Sequence, residues 1–249
     1  MHSDALLDLF ADVVAAVRGA LDAMEGEWGL SGLRETQYRH DVVADRVALD
    51  VLLKADVCVV SEETGVHNKG RPVTVVVDPV DGSTNASIGL PWYAISLCAM
   101  VEGEMFVSRV DNLATGTSFV AVRGEGAMMD GKPIRASGQT SADAAIIAIN
   151  ARPNQPMRTQ QFRTLGATAL DMCFVAAGRL DGYVDCDSDA VAPWDYLGAL
   201  LVCAEAGAVC ADAQGRELEV TDHDVRRSPI AAATPELLQE LLVRRSDGL

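Results

Sequence analysis

An α+β fold follows from three patterns in the 249-residue chain. Two helical segments with one apolar face come first, a strand-rich stretch broken by regular turns follows, and the remainder alternates helices with short strands. Leu6, Leu7, Phe10, Val13, Val14, Val17, Leu21 and Met24 recur at helical spacing and predict a long first helix, ended by the break at Gly29 to Gly32. A second helix is expected from Asp41 to Lys54, its apolar residues being Val43, Val47, Leu49, Val51 and Leu52. The β-branched runs Val57 to Val60 and Val73 to Val77 read as strands. From Tyr93 to Ile134, turns at Glu102-Gly103, Thr115-Gly116, Gly124 to Gly126 and Asp130-Gly131 separate strand-like segments, the pattern of an antiparallel sheet.

The character of the chain changes after a small polar stretch at Ser137 to Ala142, which divides it into 1–140 and 141–249. Ala144 to Ile149 reads as a strand, Gly166 to Ala177 as an apolar helix, Asp181 to Asp185 as a short strand and Pro193 to Ala206 as a buried helix. Strands at Ala208 to Ala211 and Ile230 to Ala233 precede a closing helix from Pro235 to Val243, with proline in its first turn.

Composition narrows the functional classes. With 49% hydrophobic and 22% charged residues the chain folds a large core rather than remaining disordered. A formal charge of −16 argues against binding a nucleic-acid backbone. It does not exclude a small phosphorylated molecule, because bound cations reverse the local field. No segment has the length of a membrane span, and Asp4, Asp8 and Asp12 stand where a signal peptide would be basic and then apolar. The six cysteines form no CxxC pair and lie mostly in apolar runs, so reduced core thiols and a cytoplasmic location are expected.

The richest stretch is V-V-V-D-P-V-D-G-S-T-N from Val75 to Asn85. A strand there delivers Asp78, Asp81 and the Ser83 hydroxyl into one turn, with the Val80 carbonyl between them. Two acids so close repel, and burying either one alone raises its pKa. A hard divalent cation removes the conflict, since Mg²⁺ takes carboxylate and carbonyl oxygens. Free amides near Gly82, Ser83 and Thr84 could meet a phosphate, although a tight turn with an Asx-type cap also suits D-P-x-D-G. Ser61-Glu62-Glu63-Thr64 follows another strand, so Glu62 can join the cluster if the two strands are neighbours. Asp195, in Pro193-Trp194-Asp195, falls in the first turn of a predicted helix, where simple capping is the plainer alternative. Taken together, three acidic positions at element ends plus a hydroxyl are what a two-metal phosphatase needs to polarise a phosphoryl group and activate water.

These residues resemble the inositol monophosphatase family of Mg²⁺-dependent, lithium-sensitive phosphatases. D-P-V-D-G-S-T-N at 78–85 fits its first signature, and W-D-Y-L-G-A-L-L-V-C-A-E-A-G at 194–207 fits its second. S-E-E-T at 61–64 matches its acidic pair, and the segment 162–178 matches its R-x-x-G-x-x-A stretch. The resemblance implies a layered α-β-α-β-α sandwich, antiparallel in the first half, which carries the main metal site, and mixed in the second, which supplies substrate-side residues. It implies that Glu62, Asp78 and the Val80 carbonyl bind one metal and that Asp78, Asp81 and Asp195 bind a second. Mg²⁺ is the expected ion, two or three per site, with Mn²⁺ as a substitute.

By the same resemblance Ser83 activates the attacking water with help from Glu62, Asp81 belongs to the catalytic set, and the Gly82 and Ser83 amides cradle phosphate. Asp185 is expected to contact sugar hydroxyls, with Gly166, Ala167 and Thr168 lining the same pocket. Asp45 and Arg34 match positions near a third metal. Departures from the family pattern at Asp41 to Asp45, Ala86, Arg109 and the loop from Cys186 to Pro193 bear on substrate choice. The implied reaction is hydrolysis of a small polyol phosphate, inositol monophosphate first. Fructose 1,6-bisphosphate or both substrates is the alternative, then histidinol phosphate, and the reading of a different class is an inactive sugar-phosphate binder. A homodimer is implied as well, with no nucleic-acid or membrane partner.

Overall fold

The computed structural model describes residues 1–24, 28–34, 36–153 and 157–246. Two helices open the chain, α1 (Ser3–Asp22) and α2 (Arg39–Leu52), and pack along each other. Eight strands follow: β1 (Cys58–Ser61), β2 (Gly65–His67), β3 (Val73–Asp81), then past the short helix α3 (Ser83–Ser87) β4 (Ala94–Val101), β5 (Glu104–Asn112), β6 (Ser118–Val122), β7 (Gly126–Met129) and β8 (Lys132–Pro133). They make one sheet in the order β2-β1-β3-β4-β5-β6-β7-β8. All neighbours run antiparallel except β1 and β3, which are parallel. That single parallel pair departs from the expected antiparallel sheet and matters for the site.

The second part begins with β9 (Ile146–Asn150) and β10 (Gln161–Arg163), then α4 (Thr168–Ala176), β11 (Gly182–Asp185), α5 (Pro193–Glu205), β12 (Val209–Asp212), β13 (Pro229–Ala232) and α6 (Pro235–Ser246). The strand order is β10-β9-β11-β13-β12, with β10, β9 and β11 parallel and β13 antiparallel to both its neighbours, a mixed sheet as expected. Here β2 and β10 are additions to the sequence reading, and several boundaries move by one to three residues.

Period-two alternation explains the layering. Along β3, Val75 and Val77 turn toward the core shared with Leu6, Phe10, Val13 and Val17 of α1 and Ala44, Ala48 and Leu52 of α2. Val76, between them, points to the opposite core, with Leu170 of α4 and Leu197 of α5. That second core also takes in Ala148, Tyr183 and Ala231 of the five-stranded sheet, so α4 and α5 lie between the two sheets. The far face of the smaller sheet carries Ile147, Ile149, Val184 and Ile230 against Leu237, Leu238 and Leu241 of α6. The result is helix, sheet, helix, sheet, helix. Close contact in the middle depends on Gly198 of α5, where a Cβ would stand 2.6 Å from the Ser96 hydroxyl of β4.

Candidate metal centre and active site

The parallel pairing of β1 and β3 brings their carboxyl ends together. Ser61 lies opposite Val77, and the Glu62 amide donates to the Val77 carbonyl at 3.2 Å. Glu62 therefore leaves β1 directly beside Asp78, the juxtaposition the sequence made conditional on neighbouring strands. The register of β3 against β4 slips between Asp78 and Asp81, so the strand continues through this segment as an irregular pair rather than ending at Asp78. Within it the Val80 amide donates to Asp78 Oδ1 at 2.9 Å. From the opposite side α5 presents Asp195 in its first turn, where Oδ2 accepts the Ala192 amide at 2.7 Å. Asp195 is thus both a helix cap and a member of the cluster.

Carboxylate oxygens of Glu62, Asp78 and Asp195 all lie within 4.8 Å of one another. Asp81 stands next to them, its Oδ2 accepting the Ala169 amide of α4 at 2.7 Å. Burial raises the pKa of all four acids, and repulsion from neighbouring carboxylates adds to it for Glu62, Asp78 and Asp81, while the Ala192 amide and a hydrogen bond to Asp78 pull Asp195 back. Glu62 is pushed up to about 8, first by burial and then by the charge of Asp195. Arg226, stacked 4.9 Å over the Trp194 ring, tempers Asp195 alone. An all-oxygen set of crowded, largely buried acids has the chemistry of a hard divalent-cation site, so Mg²⁺ fits the residues present.

Gly82 makes the turn out of β3 with φ +90°, and a Cβ there would lie 2.9 Å from the Trp92 carbonyl oxygen and 3.1 Å from the Ala167 Cβ. Only glycine permits both the left-handed backbone and that approach. Ser83 follows, and its hydroxyl donates to the Val80 carbonyl at 2.8 Å. Two expected site groups are therefore paired with each other in this structure.

A residue without an assigned role in the sequence reading also reaches this point. Asp41 of α2 is buried; burial raises its pKa, while the Tyr38 amide, the Ser83 hydroxyl and the Arg34 charge pull it back. Asp45, one turn on, accepts instead from the Ser61 hydroxyl, and Arg34 binds the Glu63 carbonyl at 2.6 Å and its carboxylate at 2.5 Å. Asp41, rather than Asp45, is the acid beside Ser83. His40, buried between Trp28 and Tyr38 with ring centroids at 5.0 and 5.2 Å, has its pKa lowered to about 4 by burial and walls off the same side as a neutral ring.

The substrate-side candidates lie one step further along. Gly166, Ala167 and Thr168 form the entry to α4; the Thr168 and Tyr183 hydroxyls are 3.0 Å apart, and Asp185 and Asp81 both bear electrostatically on Tyr183. Asp185, at the end of β11, is buried; its Oδ1 accepts from the Asn150 side chain and the Asp187 amide, each at 3.2 Å. Burial pushes it up to about 6. Arg109 has a different place from the one its unusual position suggested. It grips the buried Asp111 at 2.8 and 3.0 Å, together with Arg18 and Ser118, as an ion pair between β5 and its surroundings.

A model of the inositol monophosphatase family matches residues 13–248. The chain belongs to that family. It is 33% identical over 210 residues to the fructose-1,6-bisphosphatase/inositol-1-monophosphatase of Thermococcus kodakarensis, covering 82% of each chain. It is 29% identical over 226 residues to Nus factor SuhB of Escherichia coli, covering 84% of this chain and 82% of that one. A solved protein of Pyrococcus horikoshii, described as similar to inositol-1 monophosphatase, superposes with a TM-score of 0.88 at 25% identity, over 98% of this chain and 99% of its own. Membership in the inositol monophosphatase family accounts for the five-layer order. No helix among the described residues is long and apolar enough to cross a membrane.

Proposed function

We propose that the chain is a Mg²⁺-dependent phosphomonoesterase acting on a small polyol phosphate, with inositol monophosphate the first substrate. The observation that carries this reading is the trio Glu62, Asp78 and Asp195 within 4.8 Å, set beside Asp81 and Ser83. Glu62, Asp78, Asp81, Asp195 and the Val80 carbonyl would hold the metal ions. Bound there, Mg²⁺ supplies charge neutralisation at the phosphoryl oxygens and lowers the pKa of water.

The chain's own residues do the rest. Ser83, its hydroxyl proton engaged by the Val80 carbonyl, orients the attacking water by accepting its hydrogen bond, with the buried Asp41 carboxylate close by. Glu62 stands on the other flank of that water as a second acceptor. The Gly82 and Ser83 amides orient the phosphate, and Asp185 receives a polyol hydroxyl. His40, Trp28 and Tyr38 keep bulk water from the Ser83 side. Because Glu62, Asp78, Asp81, Ser83 and Asp195 are all in place, the reading of an inactive binder has no lost ligand to support it.

Fructose 1,6-bisphosphate is the second reading, favoured by the Thermococcus kodakarensis relative whose name carries both activities. The test is phosphate release from inositol 1-phosphate, fructose 1,6-bisphosphate, histidinol phosphate and p-nitrophenyl phosphate in MgCl₂, with and without LiCl. Mg²⁺-dependent turnover highest on inositol 1-phosphate is expected. Preference for the bisphosphate selects the second reading, and a folded protein that releases phosphate from none of the four refutes the enzyme.

A further inference from the structure

Two consecutive arginines end α6 and behave differently. Arg244 makes surface pairs with Asp143 at 2.9 Å and Glu240 at 3.2 Å. Arg245 is only 7% exposed, and its hydrogen bonds go to main-chain carbonyls: Nε to Asp185 O and Nη2 to Asp187 O, both at 2.6 Å. Arg245 has no carboxylate ion pair among the described residues, and burying a guanidinium that way is costly, so a planar fork used on two carbonyls two residues apart fixes local backbone geometry. The bend it fixes carries the Asp185 side chain.

Asp187 completes the connection. Its carbonyl, held by Arg245, also accepts the Ser228 hydroxyl at 2.9 Å, and its amide donates to Asp185 Oδ1 at 3.2 Å. With the Asn150 amide on the same oxygen, Oδ1 is fully engaged, while Oδ2 is buried with no partner among the described residues. An unpaired buried carboxylate oxygen costs stability unless a donor arrives, and a ligand hydroxyl is such a donor. Tyr183, two residues before Asp185 on β11, has its hydroxyl 3.0 Å from that of Thr168, and the adjoining Ala169 amide donates to Asp81 at 2.7 Å, which ties this acceptor to the metal cluster.

The geometry points to Arg245 as a positioning residue for substrate: by clamping the Asp185 and Asp187 carbonyls it aims Asp185 Oδ2 at a hydroxyl of the phosphorylated polyol. This rests on the proposed function, specifically on Asp185 facing the substrate. Arg245 touches neither substrate nor metal, so its removal acts on ground-state binding of esters that carry hydroxyls. It leaves alone an aryl phosphate that carries none.

The experiment measures KM and kcat for inositol 1-phosphate, fructose 1,6-bisphosphate and p-nitrophenyl phosphate in wild type, Arg245→Met, Arg245→Lys and Asp185→Asn, with melting temperatures for each. Arg245→Met is expected to raise KM for the polyol esters about ten-fold with kcat within about two-fold, leaving p-nitrophenyl phosphate unchanged. Arg245→Lys, which keeps one donor in reach, recovers part of the loss. It also serves alone, with the same expected selectivity, should the methionine variant fail to fold. An unchanged KM in folded Arg245 variants, beside a raised KM in Asp185→Asn, overturns the inference and leaves the pocket assignment standing. Equal losses on p-nitrophenyl phosphate also overturn it, by showing a general structural role. No change in Asp185→Asn removes the pocket assignment, and the inference with it. Absence of turnover by wild type on every ester removes the phosphatase reading itself.

Discussion

Replacing Glu62 by Gln should make the metal-free protein more stable while sharply weakening its response to Mg²⁺. At 4.8 Å a pair of ionised carboxylates repels by about 3.5 kcal/mol for an effective dielectric near 20. Proton uptake relieves much of that, leaving about 1–2 kcal/mol to be recovered when one charge is deleted. In a chain of this size that is a rise of the order of 4 °C in melting temperature. The pH dependence has a definite sign. Glu62 in the folded protein is pushed up to about 8, above its ordinary value near 4.5, so the folded state binds more protons across that window. Stability of metal-free wild type therefore falls as pH rises from about 5 to about 8, and Glu62→Gln flattens the slope. Mg²⁺ at about one hundred times its dissociation constant returns about 2.7 kcal/mol to wild type, and little to the variant. Melting curves at pH 5.5 and 8, in EDTA and in MgCl₂, measure all of this. A variant that melts lower than wild type in EDTA and keeps the full Mg²⁺ response refutes the crowded-acid reasoning.

Other consequences follow from neighbouring residues. Asp41→Asn should lower kcat about 100-fold with little change in KM, since it removes the buried carboxylate charge beside Ser83; steady-state kinetics with an unaltered kcat would contradict that role. Gly82→Ala forces a Cβ to 2.9 Å from the Trp92 carbonyl at φ +90° and should cost about 2–3 kcal/mol in urea denaturation, with none lost if the turn can relax. At Asp212 burial would raise the pKa, but the Arg216 guanidinium and the Ser228, Arg216 and Gln214 amides pull it down to about 2. Its contribution, about 2 kcal/mol, is complete above the unfolded value near 4 and disappears as pH falls through about 2. Asp212→Asn should therefore destabilise at pH 7 and converge on wild type near pH 2; a constant difference at both pH values contradicts the linkage.

Much of the fold was legible because its long elements carry strong periodicity. The apolar face of α1 marks a helix and the unbroken run Val75-Val76-Val77 marks a strand, which the structure then buries on both faces between two cores. β2 and β10 escaped notice for a physical reason: Gly65-Val66-His67 and Gln161-Phe162-Arg163 are three residues each, half-buried or exposed, and form only by pairing with β1 and β9. The acids of the centre were legible because Asp78 follows a β-branched run directly, Asp81 comes three residues later in the same turn, and Glu62 follows the run that ends at Val60 with only Ser61 between. Asp41 was not. It and Asp45 are both buried on α2, one turn apart, and only the packing of that helix against β1 and β3 decides which meets Ser83 and which meets Ser61. Arg109 misled in the opposite direction: a cation where small apolar residues are usual suggested a substrate contact, but Asp111 two residues on is on the same strand face and neutralises it. Arg245 gave no sequence signal, since its partners are backbone carbonyls 60 and 58 residues away.

The most direct test of the central claim is phosphate release from inositol 1-phosphate by one preparation assayed in MgCl₂, after EDTA and after Mg²⁺ is restored, alongside Asp81→Asn. Turnover that vanishes with EDTA, returns with Mg²⁺ and is absent in a normally folded Asp81→Asn protein is the predicted result. Turnover indifferent to EDTA, or retained by Asp81→Asn, would contradict a metal centre built on these acids.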